Sequence, residues 1–355
     1  MDELNSISAT LIQWYEQNKR DLPWRDTDDP YKIWISEIIL QQTRVNQGLD
    51  YYYRFIERFP DVHSLAKASE DEVLKYWQGL GYYSRARNLH KAAQQVVNKF
   101  GGAFPKQYAD VISLSGIGDY TAAAICSFAY NLPYAVVDGN VFRVLSRLFG
   151  MDIPIDSVQG KKEFKQLAQE LLDQKHPGQH NQAIMEFGAL QCVPASPACE
   201  RCPLSDRCLS FANNTTADLP VKTLKIKTRK RHFNYLYIKH KNTTFLQRRI
   251  SNDVWKNLYE FPLIETDHLL DINEVYKHDF FHKLTAGITS EITIKLLTTP
   301  IKHVLTHQQI YAQCFLVELN DRSNFLSSFE ETNIEHIGDY AVSRLMEILI
   351  LNHIG

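Results

Sequence analysis

Four of the six cysteines in this 355-residue chain fall within seventeen residues, at Cys192, Cys199, Cys202 and Cys208, with the spacing C-x6-C-x2-C-x5-C. No other feature restricts the fold as strongly, because four thiols this close along a chain must be bridged, ligated or buried together. The first twenty residues are polar and patterned as a helix, without the basic-then-apolar order of a secretion signal. A cytoplasmic chain is therefore the expectation, and in that compartment such a cluster favours metal over disulfides. Four thiolates suit either tetrahedral zinc or a [4Fe–4S] cube. Structural zinc sites present two close pairs. Here the one close pair, Cys199 and Cys202, is flanked by two single cysteines, so a short loop can wrap one compact group. Pro194, Pro197 and Pro203 keep that loop out of regular helix. The spacing matches neither common ferredoxin pattern, so it leaves iron–sulfur and zinc both open. With all four thiols engaged, no position remains for substrate, and the expected role is to brace a loop. Arg201 and Arg207 beside it either meet phosphate or are simply solvated. Cys126 and Cys314 sit alone in the apolar stretches AAICSFAY and YAQCFLVEL and read as buried structural thiols.

A chain of this length is too long for one ordinary core, so two domains are expected. No run of roughly 18 apolar residues is present, so no membrane span is expected. The net charge of -2 and a pI near 6.7 do not announce a nucleic-acid binder, although whole-chain charge says little about a local patch. Residues 1–211 read as helical throughout: Leu4, Ile7, Leu11, Ile12 and Tyr15 recur at helical spacing, and Asp28-Asp29-Pro30 is a start signal for a second helix through Ile35, Ile38 and Ile39. Further helices fit 70–77, 84–100, 119–130, 140–149, 161–174 and 180–190. Residues 212–230 are polar and read as a linker, basic toward its end. Residues 231–355 read as an α+β domain. HFNYLYIKH and TTFLQRR form a hairpin about Lys241-Asn242, strands follow in 291–297 and 302–319, and a closing helix spans 339–351.

Two motifs in the helical part carry chemistry. LSGIGDYT places Gly116 and Gly118 around one apolar residue, immediately before a helix, which is a helix–hairpin–helix signature. Glycine permits the tight turn, and the backbone N–H groups at the next helix start can hold a phosphate. Downstream, VVDGNVFRVLSR sets Asp138 between an apolar run and a new helix. As a pattern this is equally an N-cap or a carboxylate held beside the hairpin. Glu37 falls on an apolar helix in WISEIILQQTRV. Facing solvent it does nothing; buried among its apolar neighbours it stays protonated and can act as a general acid.

The order of hairpin, Gly–Asp element and cysteine loop resembles the helix–hairpin–helix DNA glycosylase superfamily over about residues 5–210, where the cysteine loop carries a [4Fe–4S] cluster. Lyase-competent members place a lysine two residues after the hairpin's last glycine. Here that residue is Tyr120, so no amine is available for a Schiff base and a monofunctional enzyme is implied. The WISEIILQQTRV segment, with LPWR and GLGYYSRARNLHKAAQQV, resembles the MutY-type adenine DNA glycosylases. That resemblance implies excision of adenine opposite 8-oxoguanine or guanine in duplex DNA. Glu37 would be the acid, Asp138 the carboxylate that stabilises the sugar, and Tyr120 a supporting hydroxyl. Gln42 and Tyr82, with Thr43 and Leu80, would engage the duplex at the lesion. Trp24, Arg25 and Gln182 would form the adenine pocket, with Asn140 beside Asp138. The C-terminal part, through WKNLYEFP, resembles the MutT-like (Nudix-fold) domain appended to these enzymes. It lacks the catalytic Nudix box, so pyrophosphatase activity is not expected. Its matching recognition loop is Leu305-Thr306-His307, in which Thr306 and His307 retain a hydroxyl and a ring donor while Leu305 departs from the family's aromatic residue. The implied protein is a monomer associated with the nucleoid. The alternatives are a thymine-mismatch glycosylase of the same superfamily, or a non-catalytic iron–sulfur DNA-binding protein.

Overall fold

The computed structural model describes residues 2–223 and 228–354; residues 224–227 of the expected linker lie outside the described residues. The chain divides into two compact units, Met1–Lys67 with Asn88–Leu224, and Ala68–Arg87 with Lys225–Gly355. The helices of the N-terminal portion are α1 (Asp2–Asn18), α2 (Pro30–Leu40), α3 (Val45–Arg58), α4 (Val62–Lys67), α5 (Glu70–Trp77), α6 (Ser84–Phe100), α7 (Tyr108–Ile112), α8 (Asp119–Tyr130), α9 (Gly139–Leu148), α10 (Val158–Leu171), α11 (Pro177–Leu190) and α12 (Leu209–Ala212). Among the described residues no helix is long and apolar enough to cross a membrane.

The caps decide where these helices start. Asp29 accepts from Tyr31 N at 2.9 Å, with Pro30 at the first helical position, as the Asp-Pro signal predicts. Ser157 caps α10 and Pro177 opens α11, which starts both helices three residues earlier than apolar periodicity alone places them. In α2, Tyr31, Ile33, Trp34, Ile35, Ser36, Glu37, Ile38 and Ile39 are all buried, so this is a central helix rather than a surface one. The first unit's core gathers Ile7, Leu11, Val141, Leu145, Phe164 and Phe187 from α1, α9, α10 and α11. Residues past α12 stay with this unit. Arg147 Nε donates to Leu219 O at 3.1 Å, and Ile155 N to Val221 O at 3.1 Å.

The turn between α7 and α8 requires one of its two glycines. Gly116 has φ +76°, and a Cβ there would stand 2.6 Å from the Cβ of Asn88 on α6. Gly118 is extended (φ -100°), caps α8 and has open space around it. Gly116→Ala should therefore cost about 2 kcal/mol or more, whereas Gly118→Ala should stay within about 1 kcal/mol. Thermal unfolding of the two variants checks this, and equal losses would refute it.

In the second unit, β1 (Arg229–His240) and β2 (Thr243–Arg248) form the expected hairpin, with Lys241 at φ +53° in its turn. Next come β3 (Tyr259–Glu260), β4 (Leu263–Thr266), α13 (Ile272–Lys277), α14 (Asp279–Thr285), β5 (Thr293–Leu296), β6 (Ile301–Val304), β7 (Gln308–Leu319), β8 (Glu330–Asn333) and α15 (Arg344–His353). Two long strands form the centre of the sheet: β1 and β7 pair in parallel along their whole length. The outer edge of β7 is shared by β5 and β6, and the outer edge of β1 by β2 and β4. Leu236, Ile238, Phe245, Phe315 and Val317 form the core with Phe281 and Leu284 of α14.

Two expectations are corrected here. The run 302–319 is not one strand: it reverses at Leu305, whose N–H donates to Gln308 O at 2.8 Å. The reversal is invisible in sequence because Leu-Thr-His contains no turn residue. The closing helix begins at Arg344 rather than 339, because Ser343 is the cap, accepting from Met346 N, and Ile334–Asp339 is a 3-10 turn.

Candidate active site

Most of the expected residues of the first unit line one cavity of about 410 Å³. Its walls include Trp24 and Arg25 from the segment between α1 and α2, Glu37 from α2, and Gln42 and Thr43 just after it. Tyr120 from α8, Asp138 and Asn140 from the start of α9, and Gln182 from α11 complete them. Glu37 is 7% exposed, which excludes the solvent-facing alternative. Burial raises its carboxyl to about 7, with the nearby Asp138 carboxylate adding to the rise. Two groups oppose the rise: the Tyr120 hydroxyl, which donates to Glu37 Oε2 at 2.7 Å, and the charge of Arg25. Burial pushes the Tyr120 phenol well above its usual value, so it remains a donor.

Asp138 is both things the sequence allowed. Its Oδ1 caps α9, accepting from Asn140 N at 2.9 Å and Val141 N at 2.8 Å. Its Oδ2 accepts from Asn140 Nδ2 at 2.8 Å, and the same residue lines the cavity that Glu37 lines. Burial raises its carboxyl, against the opposing pull of these hydrogen bonds. Two carboxyls lining one cavity, Glu37 buried and protonated near neutrality and Asp138 half-buried and hydrogen-bonded by amides, form the acid-plus-anion pair that glycosidic cleavage needs.

Several residues of this site were not singled out in the sequence. Glu186 on α11 binds both Arg20 and Arg25. Tyr15 donates to Gln182 Oε1 at 2.5 Å. Arg143 ties Asn140 Oδ1 (2.9 Å) to Cys192 O (2.7 Å). The available signals were spacing along helices: Glu186 lies one helical turn after Gln182, and Arg143 one turn after Gly139.

Gly116 and Gly118 lie outside this cavity, in the exposed α7–α8 turn. Leu80, Tyr82, Thr306 and His307 belong to the second unit and line a cavity there with Trp255 and His303. Tyr82 Oη and Thr306 Oγ1 are 2.8 Å apart. Gln42 (φ +61°) and Tyr82 (φ +46°) both occupy the left-handed region, a strained conformation that gathers at functional positions.

The cysteine loop follows its prolines: between Cys192 and Cys208 only two short 3-10 turns form. Cys192, Cys199, Cys202 and Cys208 are all unbridged and rim a single apolar cavity with Val144, Leu148, Phe187 and Leu204. Arg147 Nη1 approaches Cys192 Sγ at 3.5 Å. Among the described residues, no three His, Cys, Asp or Glu side chains converge closely enough to hold a metal ion. Cys126 and Cys314 are buried, as expected.

Residues 35–174 match the HhH-GPD superfamily of base excision DNA repair proteins, and residues 234–352 match the NUDIX domain. An adenine DNA glycosylase of Buchnera aphidicola subsp. Baizongia pistaciae is 36% identical over 318 residues, covering 89% of this chain and 87% of that protein. The adenine DNA glycosylase of Homo sapiens is 42% identical over 216 residues, covering 58% of this chain and 39% of the human one. Among solved structures, a thermostable thymine-DNA glycosylase aligns with TM-score 0.56 and 30% identity, over 60% of this chain and 98% of its own. A non-covalent endonuclease III–DNA complex aligns with TM-score 0.52 and 21% identity over 60% of this chain and 97% of its own, which is a likeness of fold alone. Together with the two-domain order and the paired carboxyls, these matches mean that the chain belongs to the adenine DNA glycosylase family of the HhH-GPD superfamily of base excision DNA repair proteins.

Proposed function

We propose that this protein hydrolyses the N-glycosidic bond of adenine mispaired with 8-oxoguanine, or with guanine, in duplex DNA. One observation carries the reading: Glu37, buried and protonated near neutral pH, shares a cavity of about 410 Å³ with the Asp138 carboxylate. The adenine is flipped from the stack into this cavity, against Trp24, Arg25 and Gln182. Glu37 gives its proton to adenine N7, the glycosidic electron pair leaves with the base, and adenine departs neutral. The oxocarbenium-like sugar is stabilised by the Asp138 carboxylate, which Asn140 orients. Glu37, now ionised, takes a proton from the attacking water and is restored as the abasic site forms. Tyr120 holds Glu37 in place through its hydroxyl and supplies no amine, so strand cleavage by Schiff base is not part of the reaction.

In the same reading the α7–α8 turn holds a backbone phosphate through the amides at Gly116 and Gly118. Gln42 and Tyr82, with Thr43 and Leu80, engage the duplex at the lesion, and Thr306 and His307 contact the oxidised guanine. The first unit carries the chemistry and the second, which contains residues 231–355, the recognition of 8-oxoguanine. The protein works as a monomer on nucleoid DNA in the cytoplasm.

Cys192, Cys199, Cys202 and Cys208 would hold a [4Fe–4S] cluster. The donor set fits it: all four are cysteine thiols lining one apolar pocket, the ligand type that such clusters take. When bound, the cluster braces the loop and takes no part in the proton transfers. Cys199→Ser should lower the iron content and the visible absorbance of the purified protein; unchanged iron content would refute the assignment.

The function is tested by single-turnover base release from duplexes carrying A:8-oxoguanine, A:G, T:G or no mismatch. Adenine release from the first two alone is expected. Thymine release from T:G would establish a thymine-mismatch enzyme instead, and binding without any release would establish a non-catalytic protein.

A further inference from the structure

Glu186 is 1% exposed and lies on the face of α11 that carries Gln182. Its Oε1 accepts from Arg20 N (3.0 Å), Arg20 Nε (2.8 Å) and Arg25 Nη1 (3.1 Å). Its Oε2 accepts from Arg20 Nη2 (2.6 Å) and Arg25 Nη2 (2.7 Å). The Arg25 guanidinium also donates to Arg20 O at 2.9 Å and lies 5.5 Å from the centroid of the Tyr15 ring. Glu186 thus gathers two guanidinium groups onto one buried carboxylate, and all three residues line the cavity that contains Glu37.

We propose that Glu186 is a positioning residue for base release: it fixes Arg25 in the cavity wall and balances a cation that would otherwise draw the proton off Glu37. The inference rests on Glu37 being the general acid. A cation beside a carboxyl favours the ionised form, and inside a protein the effect is larger than in water. Around the cavity that holds Glu37 stand Tyr120 from α8, Asp138 from the start of α9, Arg20 and Arg25 from the segment between α1 and α2, and Glu186 from α11. The Tyr120 hydrogen bond and the Arg25 charge favour ionisation, while burial and Asp138 favour the proton. Removing the Glu186 charge adds to the ionising side of a balance that sits close to neutrality. The strong tie to two arginines also holds the Glu186 carboxyl down at about 2, so it remains a counter-charge at every working pH.

The test measures the titration of Glu37 directly, from the carboxyl signal lost in Glu37→Gln difference spectra of ¹³C-glutamate-labelled full-length protein. It is paired with the pH profile of single-turnover adenine release. Glu186→Gln should lower the Glu37 midpoint by about one pH unit and move the basic limb of the rate profile by the same amount. This corresponds to a rate about tenfold lower above neutrality. Glu186→Asp should restore most of it, and Arg25→Met combined with Glu186→Gln should return the midpoint to the wild-type value or above. An unmoved Glu37 midpoint in Glu186→Gln overturns the proposal, even if the rate falls, because a merely structural role would lower the rate at all pH values alike. If Glu186→Gln does not fold, the double variant carries the decision: a Glu37 midpoint below wild type there, with the Arg25 cation gone, also overturns it. Should the wild-type protein release no adenine, the general-acid reading fails, and the Glu37 titration still reports separately on the Arg25–Glu186 balance.

Discussion

Glu37→Gln is expected to reduce adenine release by about a thousandfold or more while raising the thermal stability of the protein. The two effects have one cause. A carboxyl raised to about 7 in the folded protein binds its proton more tightly than in the unfolded chain, where it titrates near 4.5. Between those pH values the folded state holds a proton that the unfolded state has lost, so stability falls as pH rises through the window and levels off above about 7. Glutamine carries no such penalty. The stability gain of Glu37→Gln should therefore be small near pH 4.5, grow up to about pH 7 and then stay constant. The wild-type rate should decline above about pH 7, close to tenfold per unit, as the acid loses its proton. Melting curves across pH, beside single-turnover rates and DNA binding, check all three. A variant that kept its activity, or that lost stability at pH 8, would remove Glu37 from the role of acid. Binding should survive, since the substitution preserves shape and a hydrogen-bond acceptor for Tyr120.

Asp138→Asn separates the two duties of its residue. Asparagine can still accept from Asn140 N and Val141 N, so the cap of α9 survives and stability should change by less than about 1 kcal/mol. The negative charge facing the developing cation is lost, and base release should fall by about a hundredfold to a thousandfold at every pH. Asp138→Ala removes cap and charge together and should show the same rate loss with about 1 kcal/mol less stability. If Asp138→Asn matched wild type in rate while Asp138→Ala did not, the residue would be a helix cap and nothing more.

Local chemistry was legible where it depends on near neighbours in the chain. The cysteine loop, the Gly116 turn, the Asp29 and Asp138 caps and the apolar surroundings of Glu37 are each written within a dozen or so residues. Other features required distant partners. Ala68–Arg87 reads as one more helical stretch, yet it belongs with the C-terminal unit. Arg248 meets Asp71 at 2.7 Å, Lys75 donates to Tyr340 O at 3.2 Å, and Tyr83 donates to Val342 O at 3.1 Å. The reversal at Leu305 likewise depends on the edge of β7 being open to two short strands rather than on any turn residue.

By itself the sequence determined the order of a helical and an α+β portion and the four thiols on one proline-broken loop. Both follow from spacing, capping and side-chain type, which act over a few residues; the two acidic residues were singled out by the resemblance to the glycosylases. Only the tertiary structure decided that Glu37 and Asp138 face one cavity, that Glu37 holds its proton near neutrality, and that Glu186 pairs with Arg25 from 161 residues away. Those outcomes depend on desolvation and on charges brought together by packing, and the pattern of the cysteine loop has no means of encoding either.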